Sequence, residues 1–542
     1  MLFRFVGFAA AFVARASAQA PLSTVTLDCK YRLLLCSVSD WVATDGTFTG
    51  LTNESLGLIS FLGIRYADPP IGDLRWRAPV SPPSTNLGHV NATALGFACI
   101  GTTQTNSGAT TNEDCGGFET GRTRDAPAEY FMPTIKEPML FVTFEYRLGQ
   151  FGFLAGTPVK ENGTLNAGLW DQRAGLEWVQ RYISLFGGDP TRVTIWGQSA
   201  GAASVMYHLI AEGGKDRGLF HQAMADSPPA LYLPEVTDTY SENLFTQFAT
   251  LAGCDSGNSS EIMTCLRAAS TKKIATAGSD VLNNLTSALY PIAPILDGTF
   301  LTERPIAAFE SGRFIKVPGV FGYAASFLPI SSSNEDSSNT NEGSKWSNEL
   351  TNPVANTSEP NATQTTVYNF LQGQYPTLTR LSFDAAVELF YPLFEYGNYS
   401  LQGQQMYGEM RYICSALLMG SAVRLCGKNA WQYHWDNPFL GSNHGSELDA
   451  FFEDTSTYDA ASLAVIASMR EYWNSFVVSG VPTSSSSNIA SANGRTVAWT
   501  QSGIVGSPRI LLHPAKMAME EVDLGLEARC AYWHLLESEL GT

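Results

Sequence analysis

The sequence predicts an α/β fold in which a large, mostly parallel central sheet is covered by helices on both faces. Apolar runs typical of buried strands occur at residues 139–143 and 193–196. A helix-like run lies between them at 168–186, and a second one follows at 202–210. The chain shows neither an internal repeat nor a clear linker, so this alternation indicates a single domain over residues 21–542.

A Gly-x-Ser-x-Gly pentapeptide at 197–201 lies between the second strand and the second helix. Strand, pentapeptide and helix in this order are typical of a nucleophile elbow, a tight turn that strains the serine backbone and exposes its Oγ. The strain holds the hydroxyl clear of the sheet and aims the next backbone N–H, that of Ala200, at a reacting carbonyl. Ser199 is therefore the candidate nucleophile. The same letters also occur by chance in long chains, so the flanking elements carry most of this inference.

A serine nucleophile needs a base within hydrogen-bonding reach, and the base needs a carboxylate to orient it. His444 is the candidate base, because it lies in a polar, glycine-containing loop after the aromatic strand-like run at 432–435. His434 lies inside that run and is expected to be a packed or rim histidine. The other histidines lie before the serine, too soon after it, or in helix and strand contexts: His89, His208, His221, His513 and His534.

The carboxylate is expected to follow the next predicted strand, at 317–322. Glu335, Asp336 and Glu342 all do so, and residue type and spacing do not choose between them. Asp297 also lies between the serine and the histidine in sequence. It is flanked by Leu and Gly in a pattern typical of a turn, so we expect Asp297 to cap that turn.

The first twenty residues are typical of a secretory signal, with Arg4, an apolar run at 5–13 and small residues near 16–20. We assign residues 1–18 to a signal peptide and expect a secreted, extracellular protein. The run is too short to span a bilayer, and no later stretch is long and apolar enough to do so, so no stable membrane insertion is expected.

A net charge of −18 excludes nucleic acid as a partner, because phosphate binding needs a basic surface. The sequence gives no indication of the oligomeric state.

Nine cysteines in an exported chain predict disulfides. Local spacing suggests the pairs Cys99–Cys115 and Cys254–Cys265, each of which brackets a polar, turn-forming loop. No spacing resembles a zinc site, so no metal is expected. The pairing of the other cysteines stays open: Cys29, Cys36, Cys414, Cys426 and Cys530. Candidate glycosylation sequons agree with export and lie at Asn53, Asn91, Asn162, Asn258, Asn284, Asn356, Asn361 and Asn398.

Several further segments are informative because of their order. They are Phe-Leu-Gly-Ile-Arg-Tyr-Ala-Asp-Pro-Pro at 61–70, Glu-Asp-Cys at 113–115, Phe-Gly-Phe-Leu at 151–154, Gly-Gly-Asp-Pro at 187–190, Asn-Glu-Gly at 341–343 and His-Gly-Ser-Glu-Leu at 444–448. With the pentapeptide, they resemble the type-B carboxylesterase/lipase family, of the fungal secreted type, over about residues 22–533. The resemblance implies the α/β-hydrolase fold and cleavage of small-molecule carboxylic esters without a cofactor.

The resemblance also selects the site residues. The segment at 341–343 matches the one that carries the family's acid, so the implied triad is Ser199, Glu342 and His444. The two disulfides suggested by spacing are implied again. An ion pair between Arg75 and Glu113 is implied as well, although each of these residues alone would be interpreted as a solvated surface charge.

Three departures interrupt this resemblance. The family has a strand between its Glu-Asp-Cys segment and its oxyanion-hole glycines, whereas here Cys115 is followed at once by Gly116 and Gly117. Together with Ala200, these glycines are expected to supply the N–H groups of the oxyanion hole, so a missing strand affects their placement. Residues 29–45 and 324–338 are additional segments. One loss and two additions with sharp edges are typical of misassigned exon boundaries.

The loop after Cys99 bears on the substrate. Residues 102–108 are almost wholly polar and offer little apolar surface for docking on a lipid droplet. We therefore expect small soluble esters, with a lipase acting on long-chain acylglycerols as the alternative. The absence of Trp from this loop disfavours choline esters, because cholinesterases of the family carry an aromatic residue there. A catalytically silent binding protein on the same fold is the alternative from another class.

Overall fold

The structure is a computed structural model of the 542-residue chain. It describes residues 8–15, 24–27, 46–101, 111–112, 127–135, 138–285, 287–325, 350, 352–484, 497–503 and 508–542. The strands are β1 (Phe8–Arg15), β2 (Thr24–Leu27), β3 (Gly46–Asn53), β4 (Leu58–Ser60), β5 (Gly88–Ala92), β6 (Ala98–Cys99), β7 (Thr111–Asn112), β8 (Met139–Thr143), β9 (Gly188–Gln198), β10 (Gln222–Asp226), β11 (Gly319–Ala324), β12 (Ala430–Trp435), β13 (Arg509–Leu512) and β14 (Ala518–Glu520).

The helices are α1 (Gly149–Gly152), α2 (Thr157–Asn162), α3 (Ala167–Tyr182), α4 (Ala200–Gly214), α5 (Thr239–Leu251), α6 (Ser259–Ala268), α7 (Thr271–Asn284), α8 (Pro305–Glu310), α9 (Gln364–Gln374), α10 (Arg380–Leu389), α11 (Leu393–Tyr396), α12 (Tyr399–Gly408), α13 (Cys414–Leu425), α14 (Asp449–Phe452), α15 (Ala460–Ser479), α16 (Leu524–Leu535) and α17 (Glu537–Leu540). A π-helical turn, Glu409–Ile413, joins α12 to α13.

Within the described residues, eight strands form the central sheet in the order β14-β13-β12-β11-β10-β9-β1-β8. The neighbours from β9 to β13 pair in parallel, whereas β14 and β1 pair antiparallel with theirs. The strand and helix that flank the pentapeptide form as predicted, as β9 and α4. A smaller sheet at the N-terminal side contains β2, β3, β4 and β5, and β6 pairs with β7.

Strand β1 occupies an unexpected position. It lies between β8 and β9 and pairs antiparallel with both, with Phe12 opposite Phe141 on one side and Thr194 on the other. Residues 8–15 fall within the segment assigned to the signal peptide, an assignment that stays a prediction. Because β8 and β9 run in the same direction, β1 reverses the polarity of an otherwise parallel part of the sheet.

Successive side chains of a strand point to opposite faces of the sheet. Because both faces are buried here, consecutive residues of the central strands are apolar. On β9, Val193 and Ile195 join the core cluster that includes α3 and α4. Trp196 on the same strand joins a second cluster on the opposite face, with Met469 and Trp473 of α15. Helices thus cover both faces, as predicted.

A third core cluster holds the helical layer formed by α9, α10, α12, α13 and α16. Cys414 of α13 and Cys530 of α16 form a disulfide there, with an S–S distance of 2.02 Å, which settles a pairing that the sequence left open. Cys254 and Cys265 are bonded at 1.96 Å, the pairing that their spacing favours. Cys99 is disulfide-bonded, but Cys115, like Cys29 and Cys36, lies outside the described residues. Cys426 is a free, half-buried thiol.

Candidate active site

Ser199 stands at a sharp turn between β9 and α4. Its backbone has φ 56° and ψ −120°, outside the regions that side-chain-bearing residues ordinarily adopt, and such a conformation costs about 1–3 kcal/mol. Neighbouring backbone holds it there. The Ser199 N–H donates to the carbonyl of Asp226 at the end of β10 (2.9 Å), and the Ser199 carbonyl accepts from the N–H of Ala203 (2.9 Å).

The turn lies at the carboxyl end of parallel strands, the edge where sites of α/β proteins are usually built. Ser199 and Ala200 are both partly exposed there, although Gln198 before them is buried. Ala200 is the first residue of α4, and the first N–H groups of a helix have no partner within it. A reactant can therefore approach the hydroxyl and the first backbone N–H of the helix together.

His444 is brought to this turn from the loop after β12. Its Nε2 lies 3.5 Å from Nε2 of Gln198, the residue before the serine. The next residue, Gly445, has φ 82°, and a Cβ added to it would lie 3.4 Å from Gln198 Nε2. No hydrogen bond joins Ser199 Oγ to His444 among the described residues. In unliganded sites such catalytic bonds are often long and tighten only when substrate binds.

Two other histidines have packing roles. His434 is buried on β12, with Nδ1 2.8 Å from Glu520 Oε1 and Nε2 2.5 Å from the carbonyl of Ala325, as expected of a packed histidine. His208 on α4 contacts Gln172 through Nε2 at 3.1 Å. Burial, together with the charge of Arg173, lowers the pKa of His208 to about 3.

The remaining predicted site residues lie outside the described residues. They are Glu335, Asp336, Glu342, Gly116 and Gly117. The structure describes the approach to the acid as far as Ala325, whose N–H donates to the carbonyl of Trp435 (3.0 Å). Asp297 caps a turn, as expected, because its Oδ1 accepts from the N–H groups of Thr299 and Leu301, each at 2.9 Å.

Arg75 is not a surface residue. It is only 3% exposed, so the solvated state that the residue type alone would indicate does not apply. Its Nη1 donates to the carbonyls of Leu266 (2.8 Å) and Ala269 (2.9 Å), at the end of α6. These carbonyls have no helical N–H to bind, so the guanidinium caps the helix. Glu113, the implied partner, lies outside the described residues.

A large cavity in the described part of the chain lies away from this turn. It measures about 1080 Å³, and neither Ser199 nor His444 lines it. Its wall includes residues of β8 and several aromatic side chains, among them Phe61, Tyr66, Phe141, Trp178 and Phe186. Size alone therefore does not mark the catalytic position.

Two further features are absent from the described residues. No group of three or more His, Cys, Asp or Glu side chains there could hold a metal ion. Across the same residues, no helix combines the length and the apolar character needed to cross a membrane.

A model of the carboxylesterase family matches residues 41–115 and 116–518. The chain belongs to the carboxylesterase family. It is 32% identical over 339 residues to Lipase 5 of Diutina rugosa, a match that covers 52% of this chain and 60% of that lipase, less than two thirds of its length. It is 29% identical over 469 residues to Lipase 2 of Geotrichum candidum, covering 72% of this chain and 79% of that one.

The fold of this carboxylesterase-family chain is similar to the crystal structure of Aspergillus niger EstA. The TM-score is 0.76 at 27% identity, and the match covers 98% of this chain and 99% of the other. The predicted α/β-hydrolase fold, a single domain on a mixed sheet with flanking helices, is thereby confirmed. The two stretches matched by the family model meet between Cys115 and Gly116, where the sequence predicts a missing strand.

Sequence reasoning missed two residues that touch the candidate base. Gln198 is one of the variable positions of the pentapeptide, and only the fold reveals its approach to His444. Tyr412 is the other, and its ring centroid lies 4.2 Å from that of His444. No motif signals this contact, because Tyr412 lies in a helical layer distant in sequence from both the serine and the histidine.

Proposed function

We propose that this member of the carboxylesterase family hydrolyses carboxylic esters through an acyl-enzyme, with Ser199 as nucleophile, His444 as base and Glu342 orienting the base. One observation supports this most strongly. The strained turn at Ser199 has the imidazole of His444 beside it, although Gln198 and His444 are separated by 246 positions in the chain. Strain of this kind persists only when the surrounding structure enforces it, and it is concentrated at functional sites.

The chemistry follows from these groups. Ser199 Oγ attacks the ester carbonyl carbon while His444 accepts its proton, and the carboxylate of Glu342 stabilises the resulting imidazolium. His444 then protonates the departing alcohol oxygen, which leaves an ester of Ser199. Water, deprotonated by His444, attacks this ester, and the return of the proton to Oγ releases the carboxylic acid.

The negative charge on the tetrahedral intermediate needs donors fixed in advance. Ala200 supplies one at the start of α4, where the helix dipole adds partial positive charge. Gly116 and Gly117 are proposed to supply the others. Because removal of one oxyanion-hole donor costs roughly 10²–10³ in turnover, the activity depends on where these glycines are held.

The substrate is proposed to be a small soluble ester, because the polar loop at 102–108 offers little lipid-binding surface. The relatives named as lipases favour the alternative, long-chain acylglycerols. The interruption of the family match between Cys115 and Gly116 favours the silent binding protein, since it affects the oxyanion donors.

Secretion is proposed on three grounds. Residues 1–18 have the composition of a signal peptide. The disulfides Cys254–Cys265 and Cys414–Cys530 need an oxidising compartment. A relative from Arthroderma benhamiae, 27% identical over 462 residues, is named a secreted lipase. N-glycosylation at the sequons is proposed with it.

The test is hydrolysis of p-nitrophenyl acetate, butyrate and emulsified palmitate by the full chain and by Ser199→Ala. We expect Ser199→Ala to lose at least about 10³-fold in kcat/KM on the short esters. Ser204→Ala is the matched control, because Ser204 lies about one turn further along α4 and has its own partners. Its hydroxyl accepts from Gln172 Nε2 (2.9 Å) and donates to the carbonyl of Ala200 (3.1 Å). Equal rates in wild type and Ser199→Ala would reject the function, and preference for palmitate would favour the lipase.

A further inference from the structure

The geometry points to Tyr412 as a positioning residue for His444, one that fixes the tilt of the imidazole against which Ser199 reacts. This inference rests on the proposed function and adds to it a residue outside the triad. The two ring centroids lie 4.2 Å apart with an interplanar angle of 34°. This is a close face contact, slightly shorter than the roughly 4.5 Å at which the usual range for aromatic pairs begins.

His444 needs such a support because of where it lies. It is partly exposed, on a loop with positive-φ glycines at Gly441 and Gly445, and loops are more mobile than the elements they connect. A hydrogen bond to a ring nitrogen lies in the plane of the imidazole, so it directs one edge but leaves rotation about that bond less restrained. A ring packed on the face restrains this rotation.

Tyr412 itself is held rigidly. Its side chain is 1% exposed, and Ser415 one turn later donates to the Tyr412 carbonyl (3.0 Å). The Tyr407 ring meets the Tyr412 ring edge-on at 6.1 Å, and the Arg411 guanidinium lies 5.9 Å from its centroid. Cys414, two residues after Tyr412, is anchored to α16 by its disulfide with Cys530.

The segment that carries Tyr412 is also fixed relative to the nucleophile. Ser415 Oγ donates to the carbonyl of Pro228, and the N–H of Ala230 donates to the carbonyl of Arg411 (2.6 Å). Pro228 follows Asp226 by two residues, and the carbonyl of Asp226 accepts the N–H of Ser199. A short path of hydrogen bonds and backbone therefore sets the distance between the Tyr412 ring and the elbow.

The backbone around Tyr412 departs from regular helix at this point. Glu409–Ile413 forms a π-helical turn between α12 and α13. Such turns are uncommon, because they insert a residue into the helix, and they occur often at functional sites. Here the turn places consecutive large side chains, Arg411 and Tyr412, in the buried layer next to the His444 loop.

Kinetics of three variants test the inference. Tyr412→Leu removes the aromatic face, whereas Tyr412→Phe keeps it. Phe383→Leu is the matched control, because Phe383 is equally buried in the same helical layer, and its ring packs on Tyr368 rather than on Tyr412 or His444. We expect kcat on p-nitrophenyl acetate to fall about three- to tenfold in Tyr412→Leu with KM nearly unchanged, and to stay within about twofold of wild type in the other two. Equal losses in both Leu variants would overturn the inference.

A second measurement does not need activity. In protein labelled with ¹³C at histidine Cε1, the His444 resonance is identified by its absence from His444→Gln. The ring current of Tyr412 is expected to displace this resonance, so the resonance should move in Tyr412→Leu and stay in place in Tyr412→Phe and Phe383→Leu. An unmoved resonance in Tyr412→Leu would overturn the inference even in an active enzyme. If the resonance moves in Tyr412→Leu but the wild-type protein has no esterase activity, the proposed function is rejected while the contact between Tyr412 and His444 is supported.

Discussion

Arg147 and Asp171 form a two-pronged ion pair that is closed off from solvent. Nη2 of Arg147 lies 2.6 Å from Oδ1 and Nε lies 2.7 Å from Oδ2, while the backbone N–H of Arg147 donates to Oδ2 as well (3.0 Å). The two side chains are 1% and 5% exposed. The pair fixes the segment before α1 to α3, and α3 in turn contacts α4 through Gln172 and Ser204. It therefore supports the helix that follows the nucleophile.

Asp171→Ala is expected to cost about 3–5 kcal/mol of unfolding free energy, because it leaves a buried guanidinium without its carboxylate. Asp384→Ala is the control, since Asp384 pairs with Arg380 at 2.8 Å but both side chains are about half exposed, at 45% and 48%. That pair is expected to contribute less than about 1 kcal/mol. Urea unfolding of both variants measures the contrast, and similar losses would contradict it.

The two disulfides differ in the length of chain that they close. Cys414–Cys530 spans 116 residues and Cys254–Cys265 spans 11. Closing the longer loop restricts the unfolded chain more, by about 4–5 kcal/mol against about 2–3 kcal/mol for the shorter one. The double variant C414S/C530S should therefore melt at a lower temperature than C254S/C265S. The reverse order in a thermal scan would show that loop length does not govern their contributions.

His208 is expected to make the protein sensitive to acid. Its pKa is about 3 when folded, because of burial and the charge of Arg173, and about 6.5 when unfolded. Between these two pKa values the unfolded chain binds more protons than the folded one. The contribution of His208 to the free energy of unfolding is therefore full above about pH 6.5 and declines as the pH falls towards about 3. Lowering the pH from 7.5 to 5 should remove about 2 kcal/mol through this group.

Urea unfolding at pH 7.5 and pH 5 checks this sensitivity. In His208→Gln the loss between the two pH values should be smaller by about that 2 kcal/mol, since the side chain no longer titrates. His89→Gln, at an exposed position on β5, is the control and should behave as wild type. A loss in His208→Gln as large as in wild type would contradict the assignment.

The position of β1 leads to a prediction about the transcript. The family match breaks between Cys115 and Gly116, and β1, from the predicted signal peptide, lies antiparallel between β8 and β9. We expect the natural transcript to encode an additional strand between the codons of Cys115 and Gly116. This strand would take the position of β1 between β8 and β9, and it would run parallel to both. Transcript sequencing across the junction is the measurement, and reads in which the Gly116 codon directly follows the Cys115 codon would reject the additional strand.

Local patterns predicted the elements around the serine well. β9 and α4 form because their apolar periodicities are set by neighbouring residues, and the turn between them follows from the pentapeptide. The loop position of His444 and the packed state of His434 also followed from the aromatic strand before them. Each of these inferences needs only a short stretch of sequence.

Contacts between distant segments could not be inferred in this way. The pairing of Cys414 with Cys530, the burial of Arg75 against α6 and the ring contact of Tyr412 with His444 all depend on how distant segments pack in three dimensions. The place of residues 8–15 in the sheet could not be inferred either, since a leader-like apolar run and a buried strand have similar composition.

Activation of the Ser199 hydroxyl by His444 can be measured by covalent labelling with a fluorophosphonate. Mass spectrometry of the full-length protein should find one adduct per chain, on the tryptic peptide that contains Ser199. The adduct should be absent from Ser199→Ala, and should form at least about 10²-fold more slowly in His444→Gln. A folded wild-type protein that takes no label at Ser199, or labelling of His444→Gln at the wild-type rate, would show that His444 does not activate Ser199.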